Sequence, residues 1–110
     1  MSRSNRFVFP DNVTLIDEAE NDFMNLDRSM QIPVFKAICK VAENPKPRPE
    51  GYGKPLSGNL AGFNKIKLRD YGIRVIYTLV PLDSYNMKIV IIGFRDEEKV
   101  YREAERRIDL

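Results

Sequence analysis

The sequence predicts an α+β protein. It reads as a small antiparallel β-sheet with an N-terminal helical hairpin packed on one face and a C-terminal helix, which we expect on that same face. Three observations predict it. Apolar side chains recur at helical spacing between Ile16 and Ala42. From Phe63 to Phe94, three runs rich in Val, Ile, Leu and aromatics are separated by turn residues. From Glu97 to Ile108, Val100, Ala104 and Ile108 return to a helical period.

Each element has its own signal. Arg6-Phe7-Val8-Phe9 reads as a short strand ended by Pro10. Thr14 followed by Asp17 resembles a capping-box start, and Ile16, Ala19, Phe23, Leu26 and Met30 then carry the inner face of a first helix. A second helix starts near Pro33, a residue tolerated in a first turn, and carries Val34, Phe35, Ile38, Val41 and Ala42 inward before stopping at Asn44-Pro45. The two helices join around Ser29–Ile32. Residues 45–62 form a Pro- and Gly-rich loop, which Leu56 and Leu60 pin to the core. Strands are expected at Phe63–Arg69, Ile73–Val80 and Met87–Phe94. Asp70-Tyr71-Gly72 makes the first connection a tight hairpin, because glycine supplies the positive φ such a turn needs. Glu97–Ile108 closes the chain as a helix. No repeat, low-complexity tract or long linker interrupts it, so residues 1–110 read as one domain.

Composition narrows the function. The apolar and charged fractions, 43% and 31%, are those of a soluble globular protein. No apolar run approaches the roughly 20 residues a membrane helix needs, and Met-Ser-Arg-Ser-Asn-Arg lacks the apolar stretch of a secretory signal. We therefore expect a cytoplasmic protein with no membrane partner. The chain has one cysteine, Cys39, which excludes an internal disulfide; its place in the apolar pattern makes it a small core residue. It has no histidine. That removes serine–histidine and cysteine–histidine catalysis and histidine zinc sites. Acid–base chemistry must then use Lys, Arg, Tyr, Asp or Glu, and no metal or other cofactor is expected.

The net charge of +2 says little, but its distribution says more. Residues 1–45 hold five basic and seven acidic side chains, and residues 46–110 hold thirteen and nine. Lys65, Lys67 and Arg69 lie two apart, so in a strand they share one face while Ile66 and Leu68 take the other. A row of cations on one face costs self-repulsion and adds nothing to packing, which suggests a surface prepared for phosphate. Arg74 enters on the neighbouring strand. Crowding by cations disfavours the charged form of a lysine, which is the condition for an amine base, and the same cations would stabilise a charged transition state.

The second half, from about Lys54 to Ile108, resembles the RelE branch of the RelE/ParE toxin superfamily. The resemblance rests on the approach KPLSGNLAGFNKIKLRDYGIRVIYTLV and the ending KIVIIGFRDEEKVYREAERRI. In combination these give a basic strand, a glycine turn, an Arg-Val-Ile-Tyr strand, an apolar strand, then Gly-x-Arg with a tyrosine six residues after the arginine. The resemblance implies a RelE-like fold and the toxin of a type II toxin–antitoxin pair: a ribosome-dependent mRNA endoribonuclease that cuts messenger in the decoding site by metal-independent attack of the 2′-hydroxyl. It implies Lys67 as general base, Lys65 and Arg74 as stabilisers of the transition state, Arg95 on the acid side and Tyr101 as a substrate-orienting residue. Arg69 and Lys54 would contact RNA. The implied partners are a cognate antitoxin, the ribosome and mRNA, with no DNA contact by the toxin alone.

Other readings stand beside this one. Lys65 and Lys67 fit the solvated face of an amphipathic strand, Arg74 a pair with Asp70, Arg95 a pair with Glu98, Lys54 a loop charge, and Tyr101 packing beside Val100 and Phe94. Tyr71, Tyr77 and Tyr85 read as core, turn or interface residues. The sequence departs from the RelE pattern at its start, in its long Pro-rich loop, and at Asp96-Glu97-Glu98, which sets negative charge beside Arg95. A non-nuclease ParE-like toxin that inhibits gyrase, or a degenerate toxin serving only as an antitoxin-binding module, are the alternatives.

Overall fold

Apolar runs that are buried on both sides decide this architecture. In the computed structural model, which describes residues 7–94 and 96–108, every residue of the strand Ile73–Leu79 except Arg74 is buried, as are Ile89 to Ile92 on its neighbour. A strand with two apolar faces needs cover on both.

The elements run β1 (Val13–Leu15), α1 (Asp17–Met24), α2 (Arg28–Ala42), β2 (Lys54–Pro55), β3 (Phe63–Leu68), β4 (Ile73–Leu79), β5 (Met87–Phe94) and α3 (Glu97–Ile108). They form one five-stranded sheet in the order β1-β5-β4-β3-β2. The α1–α2 pair covers one face, setting Ala19, Phe23, Val34 and Ile38 against Ile73, Val75, Tyr77 and Ile89. α3 covers the other, where Val100 and Ala104 meet Ile76, Val90, Ile91 and Leu60. The α+β class is therefore as expected, but α3 lies across the sheet from the hairpin rather than beside it. No helix among the described residues is long and apolar enough to cross a membrane.

The first strand is not where the alternation put it. Phe7, Val8 and Phe9 are irregular. Phe7 and Phe9 spend their rings on Phe23 and Phe35, at centroid distances of 5.1–5.4 Å, and aromatic burial overrides strand pairing there. Arg6 lies outside the described residues. The strand is Val13–Leu15, and it runs parallel to β5, so the sheet is mixed rather than antiparallel. Thr14 belongs to this strand and donates to the Met87 carbonyl at 3.3 Å instead of capping α1.

The helical hairpin turns earlier than Pro33 suggests. The Asp27 carbonyl accepts the backbone N–H of Met30 and of Gln31, both at 2.8 Å, so α2 begins at Arg28 and the joint is residues 25–27. Pro33 sits inside the helix, where it removes one main-chain bond without ending it. Gln31 ties the joint by donating to the Phe23 carbonyl at 3.0 Å.

Two features fix α3. β5 carries an extra residue against β4: Ile76 pairs with Ile91 but Tyr77 with Ile89, leaving Val90 as a bulge. Val90 and Ile91 consequently both reach the α3 side. Arg107 then closes the far end of the helix, donating to the Val90 carbonyl and to Asp22 of α1, each at 2.8 Å. Asp22 in turn accepts the Ile92 N–H at 3.0 Å. This polar link wraps one margin of β5 and joins helices on opposite faces.

Candidate active site

β3 alternates as its sequence requires. Ile66 and Leu68 join the core beneath the helical hairpin, while Phe63 faces α3 and Lys65 and Lys67 share its side. The two flanking strands bring further cations into register. Lys54 of β2 lies opposite Lys65, and Arg74 of β4 lies opposite Lys67. Arg69 departs from the expected row. β3 ends at Leu68, and Arg69 opens a single 3-10 turn, Arg69–Tyr71, which Gly72 closes at φ 65°. Its side chain is exposed at the hairpin end and still adds to the field felt by Lys54.

α3 lies over this row through Glu97 and Tyr101. They are four residues apart and so share a helix face. Asp96 starts the helix by accepting the Lys99 N–H on its side chain at 3.3 Å. From the first turn, Glu97 reaches the cations: its Oε2 is 2.5 Å from Lys65 Nζ and 3.2 Å from Arg74 Nε. Lys65 also donates to the Tyr101 hydroxyl at 2.9 Å and sits 5.6 Å from the centre of that ring. Lys65 is only 8% exposed, so a solvated strand face does not describe it. Arg74 pairs with Glu97 and not with Asp70.

The electrostatics follow from these contacts. Burial acts to lower the Lys65 ammonium, but hydrogen bonds to Glu97 and Tyr101 outweigh it and hold the group above its ordinary value. Glu97 is pulled down to about 2, chiefly by the hydrogen bond from Lys65, with Arg74 adding to it against the opposing effect of burial. Cation crowding takes effect at Lys54, which is lowered by the charge of Lys65 first, then by burial and by Arg48, Lys67 and Arg69. Lys67 is exposed toward solvent.

Of the residues singled out in the sequence, Lys65, Arg74 and Tyr101 meet at one point. Lys67 and Lys54 flank it on the two neighbouring pairings, and Arg69 stands at its edge. Arg95 lies outside the described residues. Glu97 is the site residue that sequence reasoning did not place. Its signal was the four-residue spacing to Tyr101, which puts the carboxylate on the helix face that carries the tyrosine.

The remaining candidates fall away from the site. Tyr77 is core, its hydroxyl donating to the Pro45 carbonyl at 2.7 Å and its acidity pushed down by burial. Tyr71 and Tyr85 are exposed. Cys39 is half-buried rather than core, and burial followed by the charge of Glu43 raises its thiol, which suits an inert residue. Among the described residues, no cluster of acidic, cysteine or histidine side chains could hold a metal ion.

No protein-family model matches the chain, and no curated protein matches it. Solved structures do. The isolated E. coli RelE toxin is similar at 24% identity and a TM-score of 0.64, over 87% of this chain and 96% of that one. A free double arginine-to-alanine mutant of the same toxin gives a TM-score of 0.70 at 24% identity, over 87% and 95%. The mutant bound to a peptide of the antitoxin RelBc gives 0.64 at 23% identity, over 84% and 90%. The chain thus has a RelE-like toxin fold.

Proposed function

We propose that this protein is the toxin of a type II toxin–antitoxin pair and acts as a ribosome-dependent mRNA endoribonuclease. The observation that carries the reading is the convergence of Lys65, Arg74 and Tyr101 in a RelE-like fold, with Lys67 directly opposite Arg74. A cognate antitoxin is the expected partner, since solved relatives of this fold include RelE bound to RelB.

The chemistry suits a site without histidine. An amine accepts the 2′-hydroxyl proton, the 2′-oxygen attacks the adjacent phosphorus, and the bond to the 5′-oxygen breaks. The products are a 2′,3′-cyclic phosphate and a 5′-hydroxyl, the leaving oxygen taking a proton from an acid. Lys67 is the base in this scheme; Lys54, whose ammonium its neighbours disfavour, is the nearest substitute. Lys65 and Arg74 neutralise the phosphorane, and Tyr101 orients the substrate by stacking or hydrogen bonding. Arg95 is proposed as the acid. Dependence on the ribosome is reasonable for a weak base, because a second particle that bends and holds the RNA supplies the alignment.

The test is messenger cleavage on programmed ribosomes by the wild-type protein, Lys67→Ala and Arg74→Ala. Position-specific cuts that both substitutions abolish are the expected result. A second reading is favoured by the ion pair of Glu97 with both cations: a degenerate toxin that binds its antitoxin and cuts nothing. Folded wild-type protein that binds antitoxin but leaves messenger intact would select it.

A further inference from the structure

One oxygen carries the argument. Glu97 Oε2 takes both Lys65 Nζ, at 2.5 Å, and Arg74 Nε, at 3.2 Å, from two adjacent strands. Two cations converging on one oxygen is the pattern of a phosphate site, in which a non-bridging oxygen collects charge-assisted hydrogen bonds. The Tyr101 hydroxyl beside Lys65 completes the set. Lys65 is nearly sealed, so a ligand phosphate cannot reach its ammonium while the carboxylate remains there. Glu97 itself keeps 35% of its side chain exposed and stands in the first turn of α3, where it can turn outward without unpacking Val100 and Ala104.

We propose that Glu97 is a resident anion in the phosphate subsite formed by Lys65, Arg74 and Tyr101, and that a ligand phosphate binds there only by displacing it. The inference rests on the reading of these cations as a phosphate site and adds the occupant that the ligand must expel. Because α3 is docked on the sheet, the carboxylate competes at an effective concentration on the order of millimolar or above. Free phosphate must overcome that advantage with its own charge. An RNA held by many other contacts overcomes it readily. The internal carboxylate therefore discriminates against small anions and lone nucleotides in favour of a strand already aligned. Glu98, one residue on, points away and pairs with Arg102 at 3.3 Å, so it offers a control of equal charge.

The experiment titrates inorganic phosphate into the wild-type protein, Glu97→Gln and Glu98→Gln, reading Lys65 Nζ and the Tyr101 ring by NMR. Phosphate should bind Glu97→Gln about tenfold or more tightly than wild type. Glu98→Gln should gain less than about threefold, the share due to net charge. Equal gains in the two variants overturn the proposal, and so does the absence of any phosphate response at Lys65 and Tyr101 of Glu97→Gln. Should Glu97→Gln fail to fold, the wild-type Glu97 carboxyl carbon gives the answer at saturating phosphate. A shift to its free position supports displacement, and an unmoved signal contradicts it. The outcome is separable from cleavage. Tighter phosphate binding by Glu97→Gln without messenger cutting leaves the subsite standing and removes the nuclease. Cutting by wild type with no such gain does the reverse.

Discussion

Gly93 of β5 lies so close beneath Val100 of α3 that a Cβ on the glycine would come within 2.7 Å of Val100 Cγ2. The valine is branched at Cβ and cannot swing its methyls away freely. The seat of α3, and with it the reach of Glu97 and Tyr101 onto β3 and β4, depends on the missing side chain. Gly93→Ala should lower stability by about 1–3 kcal/mol through overpacking. Adding Val100→Ala, which removes the opposing methyls, should recover part of that loss. A double-mutant cycle in chemical denaturation measures the coupling; strictly additive effects would show that the helix does not rest on this contact.

Arg107 and Arg106 share acidic neighbours but not consequences. Arg107 is 9% exposed and holds Asp22, Glu103 and the Val90 carbonyl, whereas Arg106 spans Glu18 and Glu103 at the surface. Arg107→Ala strands a carboxylate and a main-chain carbonyl and should cost about 3 kcal/mol. Arg106→Ala should change stability little. Urea midpoints compare them, and equal losses would remove the special role of the β5 margin.

Acid should loosen α3. A carboxyl whose folded value is depressed contributes stability that is complete above its unfolded value and lost as pH falls through the folded one. Glu97 goes from an ordinary 4.5 to about 2 through the hydrogen bond from Lys65 first and Arg74 after it. Glu103 goes to about 2 through Arg106 and then Arg107. Thermal midpoints should accordingly fall as pH drops from about 4.5 toward 2. Glu97→Gln should flatten part of that decline. A variant whose acid profile superimposes on wild type would contradict the assignment.

RNA binding, if it uses Lys54, Lys65, Lys67 and Arg74, should weaken steeply with salt, because each neutralised phosphate on a single strand contributes about −0.7 to the slope of log K against log salt. Lys67→Ala should reduce that slope by roughly one phosphate contact. Fluorescence titration of a short single-stranded RNA across salt concentrations tests it. A flat salt dependence would place the binding elsewhere.

Much of this was readable from residues alone. β5 and α3 have the predicted bounds because long apolar runs and strong helical periods leave little competition. The turn at Gly72 followed from its neighbours. What failed depended on contacts between distant segments. Phe7 and Phe9 looked like strand residues until Phe23 and Phe35 claimed their rings. Pro33 looked like a helix start, but the helix is capped six residues earlier at Asp27, whose carbonyl accepts Met30 and Gln31 while its side chain makes no cap hydrogen bond. At the site, alternation placed Lys65 and Lys67 correctly but extended the row to Arg69, where the chain had already begun to turn. Glu97 was visible only as charge. That it reaches Lys65 and Arg74 on the sheet is decided by where α3 docks, and that follows from the two-sided burial of β4 and β5.

The parallel pairing of β1 with β5 has a kinetic side. The Thr14–Met87 hydrogen bond joins residues 73 positions apart, whereas β3, β4 and β5 follow one another through short turns. Closing the long loop is slow, and the three-stranded meander can form before it. β1 would then dock last, onto a sheet that already carries its cations. Thr14→Ala should accordingly speed unfolding more than it slows refolding. The cationic strands would exist, briefly, before the edge of the sheet is complete.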